Sequence, residues 1–223
     1  MGWGDEMMAA GDARRAFLDY GRRVEILDRF KNRRSHPLWE GLSYIARPGE
    51  SGEKFTRHIN GPGVRPYHVA KEPTRWRFNL EYRAQRAEVV LSGADREFAR
   101  RYAGRVILEP HIKPKAPRNK DWGWSRLSAL ASMISSLGIV PAQIGPNGKH
   151  ELEGVEFIAT ETFQRAVAVL AASRAAVLPE GGLHHAAAAV GLRAVVIFGG
   201  FTPIEVTGYD GHINLGASGN DAC

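Results

Sequence analysis

The run Ala176-Val177-Leu178-Pro179-Glu180-Gly181-Gly182-Leu183-His184-His185 decides how this chain is read. Three apolar residues form a buried strand, and a proline and two glycines end it. An alanine-rich helix follows from Leu183 to Val190, and Arg193-Ala194-Val195-Val196-Ile197-Phe198-Gly199 is a second buried strand. Strands that are apolar on both faces and separated by helices belong in a parallel sheet covered by helices on both sides. In such a sheet, ligands bind beyond the carboxyl ends of the strands. The two glycines let the backbone approach a bulky anion. The first-turn N–H groups, with a helix dipole of about half an elementary charge, can then hold a phosphate. His184 and His185 add donors for phosphate oxygens or sugar hydroxyls. The same pattern also reads as a tight turn, a capped helix and two ordinary histidines.

Working outward, the pattern stays regular from Gly104 onward. Arg105 to Glu109 is a buried strand. Trp124 to Leu137 is an amphipathic helix with Leu127, Leu130, Ala131, Ile134 and Leu137 on one face. Val140–Ile144 and Val155–Ile158 are strands, and Thr162–Ser173 is a helix. Toward the N-terminus the signal thins. Asp5 to Tyr20 reads as a helix with Met7, Met8, Ala10, Ala13, Phe17 and Leu18 on its stripe and Gly21 as its stop. Arg23–Asp28 and Glu88–Ser92 read as strands, and Asp95–Tyr102 as a helix. Residues 29–78 hold Pro37, Pro48, Pro62, Pro66 and Pro73, which predict turns and short strands. The expected organisation is two α/β halves dividing at 103/104, the first reduced.

Composition narrows the function classes. The chain has 223 residues, 43% hydrophobic and 24% charged, which excludes wholesale disorder. No apolar run approaches the ~18 residues of a membrane-spanning helix. The first residues lack the basic-then-apolar order of a signal peptide. The sole cysteine, Cys223, excludes an intrachain disulfide and argues against a cysteine zinc site. A reducing cytoplasm is the expected compartment. Thirty basic against 24 acidic residues leave +6, concentrated between Arg14 and Arg126, which favours anionic partners. Arg75-Trp76-Arg77-Phe78 and Arg83 mix cations with aromatics that can stack on bases. The basic residues are scattered, however, and no nucleic-acid motif appears, so nucleic acid is not the expected partner.

Two further clusters carry chemistry. Lys113-Pro114-Lys115-Ala116-Pro117-Arg118-Asn119-Lys120-Asp121-Trp122-Gly123-Trp124 puts four cations in eight residues after a buried strand. These can neutralise a diphosphate while a tryptophan supports a base or sugar; a solvated basic loop is the alternative. Gly2-Trp3-Gly4-Asp5-Glu6 sets a carboxylate at a helix N-terminus, where the dipole favours its charge. Asp5 is then either a helix cap or a base for an attacking hydroxyl.

In this order the three clusters resemble glycosyltransferase family 9, the ADP-heptose:lipopolysaccharide heptosyltransferases. Trp3-Gly4-Asp5 is similar to the family's Leu-Gly-Asp loop, which implies that Asp5 is the catalytic base. Arg118 to Leu127 looks like the family's lysine-and-tryptophan loop, which implies that Lys120 binds the nucleotide diphosphate. Glu180-Gly181-Gly182-Leu183-His184-His185-Ala186-Ala187 resembles the hallmark Asp-Ser/Thr-Gly-x-x-His-Ala-Ala. Glu180 stands for the usual Asp, His185 for the usual His, and Gly181 for the hydroxyl residue, so one side-chain donor is lost. Val195 to Pro203 resembles the family's strand and Gly-x-x-x-Pro turn. Glu151 is the candidate for the family's nucleotide-binding glutamate.

The resemblance implies a GT-B fold: two Rossmann-like domains with parallel sheets. Here the first is a reduced acceptor-side domain (1–103) and the second a nucleotide-sugar-binding domain (104–223). Because no strand precedes the Gly-Asp loop and the chain stops soon after Leu215, a truncated or compact relative is expected. The implied donor is an ADP-heptose-like nucleotide-diphosphate sugar bound by Lys120, Glu180, Gly181, Gly182, His184, His185 and Glu151. The implied acceptor is a hydroxyl, possible on a lipid, with peripheral contact at the cytoplasmic membrane face. No bound metal is implied, and the sequence has no Asp-x-Asp pair. The alternative function is a nucleotide-sugar-binding module without catalysis.

Overall fold

The computed structural model describes residues 2–51, 54–71, 76–113 and 116–216. The chain forms two compact units, residues 1–90 with 203–209, and residues 91–202 with 210–223.

The first unit begins with α1 (Trp3–Tyr20), whose inward face is Met7, Met8, Ala9, Ala10 and Ala13. The stripe ends earlier than the sequence suggests, since Leu18 is 62% exposed. Gly21 stops the helix in the left-handed conformation, as its sequence position predicted (φ 64°). β1 (Val24–Leu27) pairs in parallel with β2 (Thr56–Ile59), Val24 opposite Thr56 and Leu27 opposite Ile59. The connection between them contains a 3-10 turn, Pro37–Trp39. β3 (His68–Lys71) and β4 (Trp76–Phe78) form an antiparallel pair. Short strands among turns are what the proline-rich stretch predicted.

The expected strand at 88–92 does not form. Residues 84–88 instead run across α1, where Gly11 leaves room for the chain: a Cβ there would sit 1.9 Å from the Gln85 carbonyl oxygen. Lying on a helix, this segment has no strand beside it to complete a ladder. It is tied down by Tyr82 donating to Asp12 (2.9 Å) and by the Arg14–Glu88 ion pair (2.7 Å).

The second unit starts at Leu91. It contains α2 (Gly93–Arg100), β5 (Val106–Leu108), α3 (Trp124–Ser136), β6 (Pro141–Gly145), β7 (Glu156–Ala159), α4 (Phe163–Ala172), β8 (Ala175–Pro179), α5 (Gly182–Val190), β9 (Ala194–Phe198) and β10 (Ile213–Gly216). Residues Ile204–Thr207 form α6, a single turn that belongs to the first unit. The compact second unit therefore begins 13 residues before the expected division, because α2 packs against α4.

All six strands are parallel, in the order β10-β9-β8-β5-β6-β7. Counted within this unit, that is the doubly wound order 3-2-1-4-5-6 read from the far edge. Leu108 and Val177 meet Leu127 and Ala131 of α3. Alternate residues Ile107, Ala176, Leu178 and Val196 are buried on the other face, where α5 lies along β8 and β9 and against α4. On α3 the predicted face holds except at its end, where Leu137 follows the helix as its cap and is 74% exposed.

The architecture is α/β, with a doubly wound parallel sheet in the second unit and a much smaller parallel layer in the first.

Candidate active site

The second unit's chain runs outward from β5 to β7, then crosses back to β8 and runs to β10. β5 and β8 are neighbours whose connections leave in opposite directions, so a crevice opens at their carboxyl ends. In this structure it is narrow, with a cavity volume of about 10 Å³, and is lined by Glu109, Pro110, Lys120, Trp122, Pro179 and Ile197 among others.

Glu180 and the two glycines lie where β8 gives way to α5. Gly181 caps the helix, and its N–H donates to Nδ1 of His184 (2.9 Å). That nitrogen is therefore an acceptor, and the neutral imidazole carries its proton on Nε2. The His184 carbonyl faces Nε2 of His212 (3.2 Å), whose Nδ1 accepts from the Ala194 N–H (3.2 Å). His184 and His185 are 0% and 2% exposed, with ring centroids 3.9 Å apart. Burial, and after it the neighbouring His184, Lys120 and His212, hold His185 well below the usual imidazole range. Burial likewise lowers His212. Both histidines of the motif are interior groups, and His184 fixes the glycine turn by accepting the Gly181 N–H.

Lys120 is brought to this turn from the other side of the crevice. It ends a 3-10 turn, Arg118–Lys120, and its ammonium pairs with Oε2 of Glu180 while lying 4.9 Å above the Phe201 ring. The Thr202 hydroxyl also reaches Oε2 of Glu180, at 3.4 Å. Lys120, Glu180, Gly181, Gly182, His184 and His185 are therefore gathered at one place. Within the basic run, Pro114 and Lys115 lie outside the described residues, as do Arg75 and Cys223. Glu151 is exposed in the loop between β6 and β7, next to buried Leu152, which packs with Leu127 and Val177.

Glu180, His184 and His185 each present a ligand atom within 4.8 Å of the others. The donor set suits a cation poorly. Glu180 already carries Lys120, and His184 uses Nδ1 to accept a backbone N–H, which leaves a proton on its other nitrogen.

Glu109 is a site residue the sequence reading placed inside a strand. It follows β5 directly and is 8% exposed, with Oε1 accepting the His111 N–H (2.7 Å). Burial pushes its carboxyl up, against the lowering effect of His111. The visible signal was a lone acid closing the apolar run Val106-Ile107-Leu108.

Asp5 belongs to the first unit, in the first turn of α1. Oδ2 accepts the Gly2 N–H (2.9 Å) and pairs with Arg65 (2.9 Å), while Oδ1 accepts the Tyr67 hydroxyl. Beside it, Glu6 is 2% exposed and takes both its bonds from Arg34 Nη2 (2.8 Å each). A groove of about 720 Å³ in this unit is lined by Arg34, His36, Trp39, Glu40 and Arg47 among others.

No protein-family model matches the chain, and no curated protein does. Solved structures do. The chain is similar to a glycosyltransferase family 9 protein from Veillonella parvula DSM 2008, at 16% identity and a TM-score of 0.50, covering 59% of this chain and 42% of that one. It is similar to E. coli ADP-heptose lps heptosyltransferase II at 17% identity and a TM-score of 0.46, covering 66% and 47%. For E. coli heptosyltransferase WaaC with ADP the values are 21%, 0.45, 53% and 39%. The chain spans less than half the length of these proteins. The first likeness establishes the fold class: α/β of the GT-B type found in glycosyltransferase family 9, with a reduced first domain. Among the described residues, no helix is long and apolar enough to cross a membrane.

Proposed function

We propose that this chain is a glycosyltransferase that binds a nucleotide-diphosphate sugar in the second unit and transfers the sugar to a hydroxyl. The observation that carries the reading is the meeting of Lys120, Glu180 and the Gly181-Gly182 helix start at the crevice between β5 and β8. A diphosphate there receives the α5 N-terminal amides and one ammonium. The acceptor oxygen attacks the anomeric carbon, the bond from that carbon to the phosphate oxygen breaks, and the diphosphate departs with its electron pair. The acceptor's proton passes to Asp5, whose Oδ1 keeps a lone pair beyond the one used by Tyr67. Lys120 and the first-turn amides of α5 from Gly182 onward stabilise the charge that builds on the leaving group. The donor is ADP-heptose-like, the acceptor can be lipid-linked, and no metal is required. Peripheral contact with the cytoplasmic face of a membrane fits the basic first unit.

Titration calorimetry with ADP, followed by an ADP-release assay with ADP-heptose and acceptor, tests this. Wild type is expected to bind ADP and to turn over. Asp5→Asn is expected to keep ADP affinity within about twofold and to lose turnover by about 100-fold or more. Unchanged turnover in that variant refutes the base assignment. Absence of ADP binding by the wild type refutes the function.

A second reading is a nucleotide-sugar-binding module without catalysis. It is favoured by the engagement of Asp5, which already holds Arg65, Tyr67 and the Gly2 amide. ADP binding without turnover selects it.

A further inference from the structure

Gly199 follows β9 and lies directly under the Arg118–Lys120 turn. A Cβ built on it would stand 1.4 Å from the Asn119 carbonyl oxygen, 2.5 Å from the Asn119 carbonyl carbon and 3.2 Å from the Lys120 nitrogen. All three are backbone atoms, so no side-chain rotation relieves the contact. The glycine is there for space and not for conformation: the left-handed residue of this turn is the next one, Gly200 (φ 82°).

We propose that Gly199 is a positioning residue for Lys120: its bare backbone lets the Arg118–Lys120 turn rest on the end of β9 and aims the ammonium into the diphosphate site. The proposal rests on the functional reading above. Three contacts converge to make it. The turn is pressed onto Gly199, its last side chain pairs with Glu180 at the end of β8, and the same ammonium lies over Phe201, two residues beyond Gly199. A methyl at position 199 must drive the Asn119 oxygen from 1.4 Å to at least 3.0 Å. β9 is bonded on both sides, to β8 and β10, so the turn yields before the strand does. Charge-assisted bonds are made at about 2.7–2.9 Å, and a displacement of this size breaks them.

The experiment compares wild type, Gly199→Ala, Lys120→Met and the double variant by ADP calorimetry. Acetic anhydride labelling of each free protein, read lysine by lysine by mass spectrometry, runs beside it. Each single variant is expected to weaken ADP by about tenfold or more, and the double variant to be no weaker than Lys120→Met. A merely structural role would instead add the two losses. Lys120 is expected to acylate at least tenfold more slowly than exposed Lys31 and Lys54 in wild type, and to approach their rate in Gly199→Ala.

Wild-type ADP affinity in Gly199→Ala, additive losses, or unchanged Lys120 labelling each overturn the proposal. If Gly199→Ala fails to fold, fast labelling of Lys120 in wild type still overturns it. If wild type binds no ADP, the diphosphate reading falls and the labelling alone decides whether Gly199 seats Lys120.

Discussion

Removing the partner of a buried carboxylate is the sharpest test of how α1 is held. Glu6 is 2% exposed and its carboxylate takes two bonds from one guanidinium nitrogen of Arg34, whose side chain is 14% exposed. The Arg34 guanidinium also lies 5.0 Å from the centre of the Trp39 ring, and Trp39 Nε1 donates to the Glu6 carbonyl (3.0 Å). Arg34→Ala leaves a desolvated carboxylate without its cation, a change that costs about 3–5 kcal/mol. Loss of the contact with Trp39 adds about 0.5–1 kcal/mol.

Burial already raises Glu6 although Arg34 opposes it, so without Arg34 the carboxyl takes up a proton and recovers part of the loss. The expected net effect is therefore near 3 kcal/mol, a large share of the ~5–15 kcal/mol typical of folded domains. Urea unfolding followed by tryptophan fluorescence and by far-ultraviolet dichroism measures it. Glu6→Met with Arg34→Leu, which removes both charges, is expected to recover most of the stability. A loss below 1 kcal/mol in Arg34→Ala, or a double variant as unstable as the single, refutes the reasoning.

Acidification is expected to weaken the second unit through its imidazoles. His185 and His212 sit below the ordinary 6.5 in the fold, so the unfolded chain takes up protons that the fold refuses as pH falls below about 6.5. Their contribution is complete above that pH and is lost on descent, at up to ~1.4 kcal/mol per pH unit for each. Glu109 and Glu6 are raised above 4.5 and act in the opposite sense, their contribution fading as pH rises. Unfolding free energies of wild type and His212→Gln between pH 7.5 and 5.5 isolate the histidine: the gap between them must narrow as pH falls, and a gap that widens contradicts the assignment. Gly11→Ala is expected to destabilise by about 1–3 kcal/mol despite the better helix propensity of alanine, because its methyl would meet the Gln85 carbonyl at 1.9 Å. A gain in melting temperature on that substitution would show that residues 84–88 can lift off the helix.

Much of the second unit was legible because its signals are local. Runs such as Ala194–Phe198 are short, apolar and bounded by glycine, and Thr162 caps α4 through its own side chain. β10 escaped notice, because Ile213 and Leu215 are half exposed at a sheet edge and give no buried run. The first unit was less legible. Residues 88–92 have a strand's composition, but the chain leading into them crosses α1 at the distant Gly11, a contact no local pattern announces. At the site, the glycine-histidine motif and Lys120 were readable as chemistry. The burial of the histidines, the seat under Asn119 and the engagement of Asp5 by Arg65 and Tyr67 depend on residues 20 to 80 positions away. No spacing rule reaches that far.

The polypeptide leaves the parallel sheet after β9, spends residues 203–209 in the other unit, and returns to lay down β10. Val206, on that excursion, is wholly enclosed beside Met8 and Tyr67, and its carbonyl receives the Ala84 amide. The two units are therefore stitched by three covalent passages rather than one linker. Severing the chain after Val90 would take from the amino-terminal fragment a piece of its own interior, and evolution could not have exchanged either unit as a cassette without also resolving that stitch.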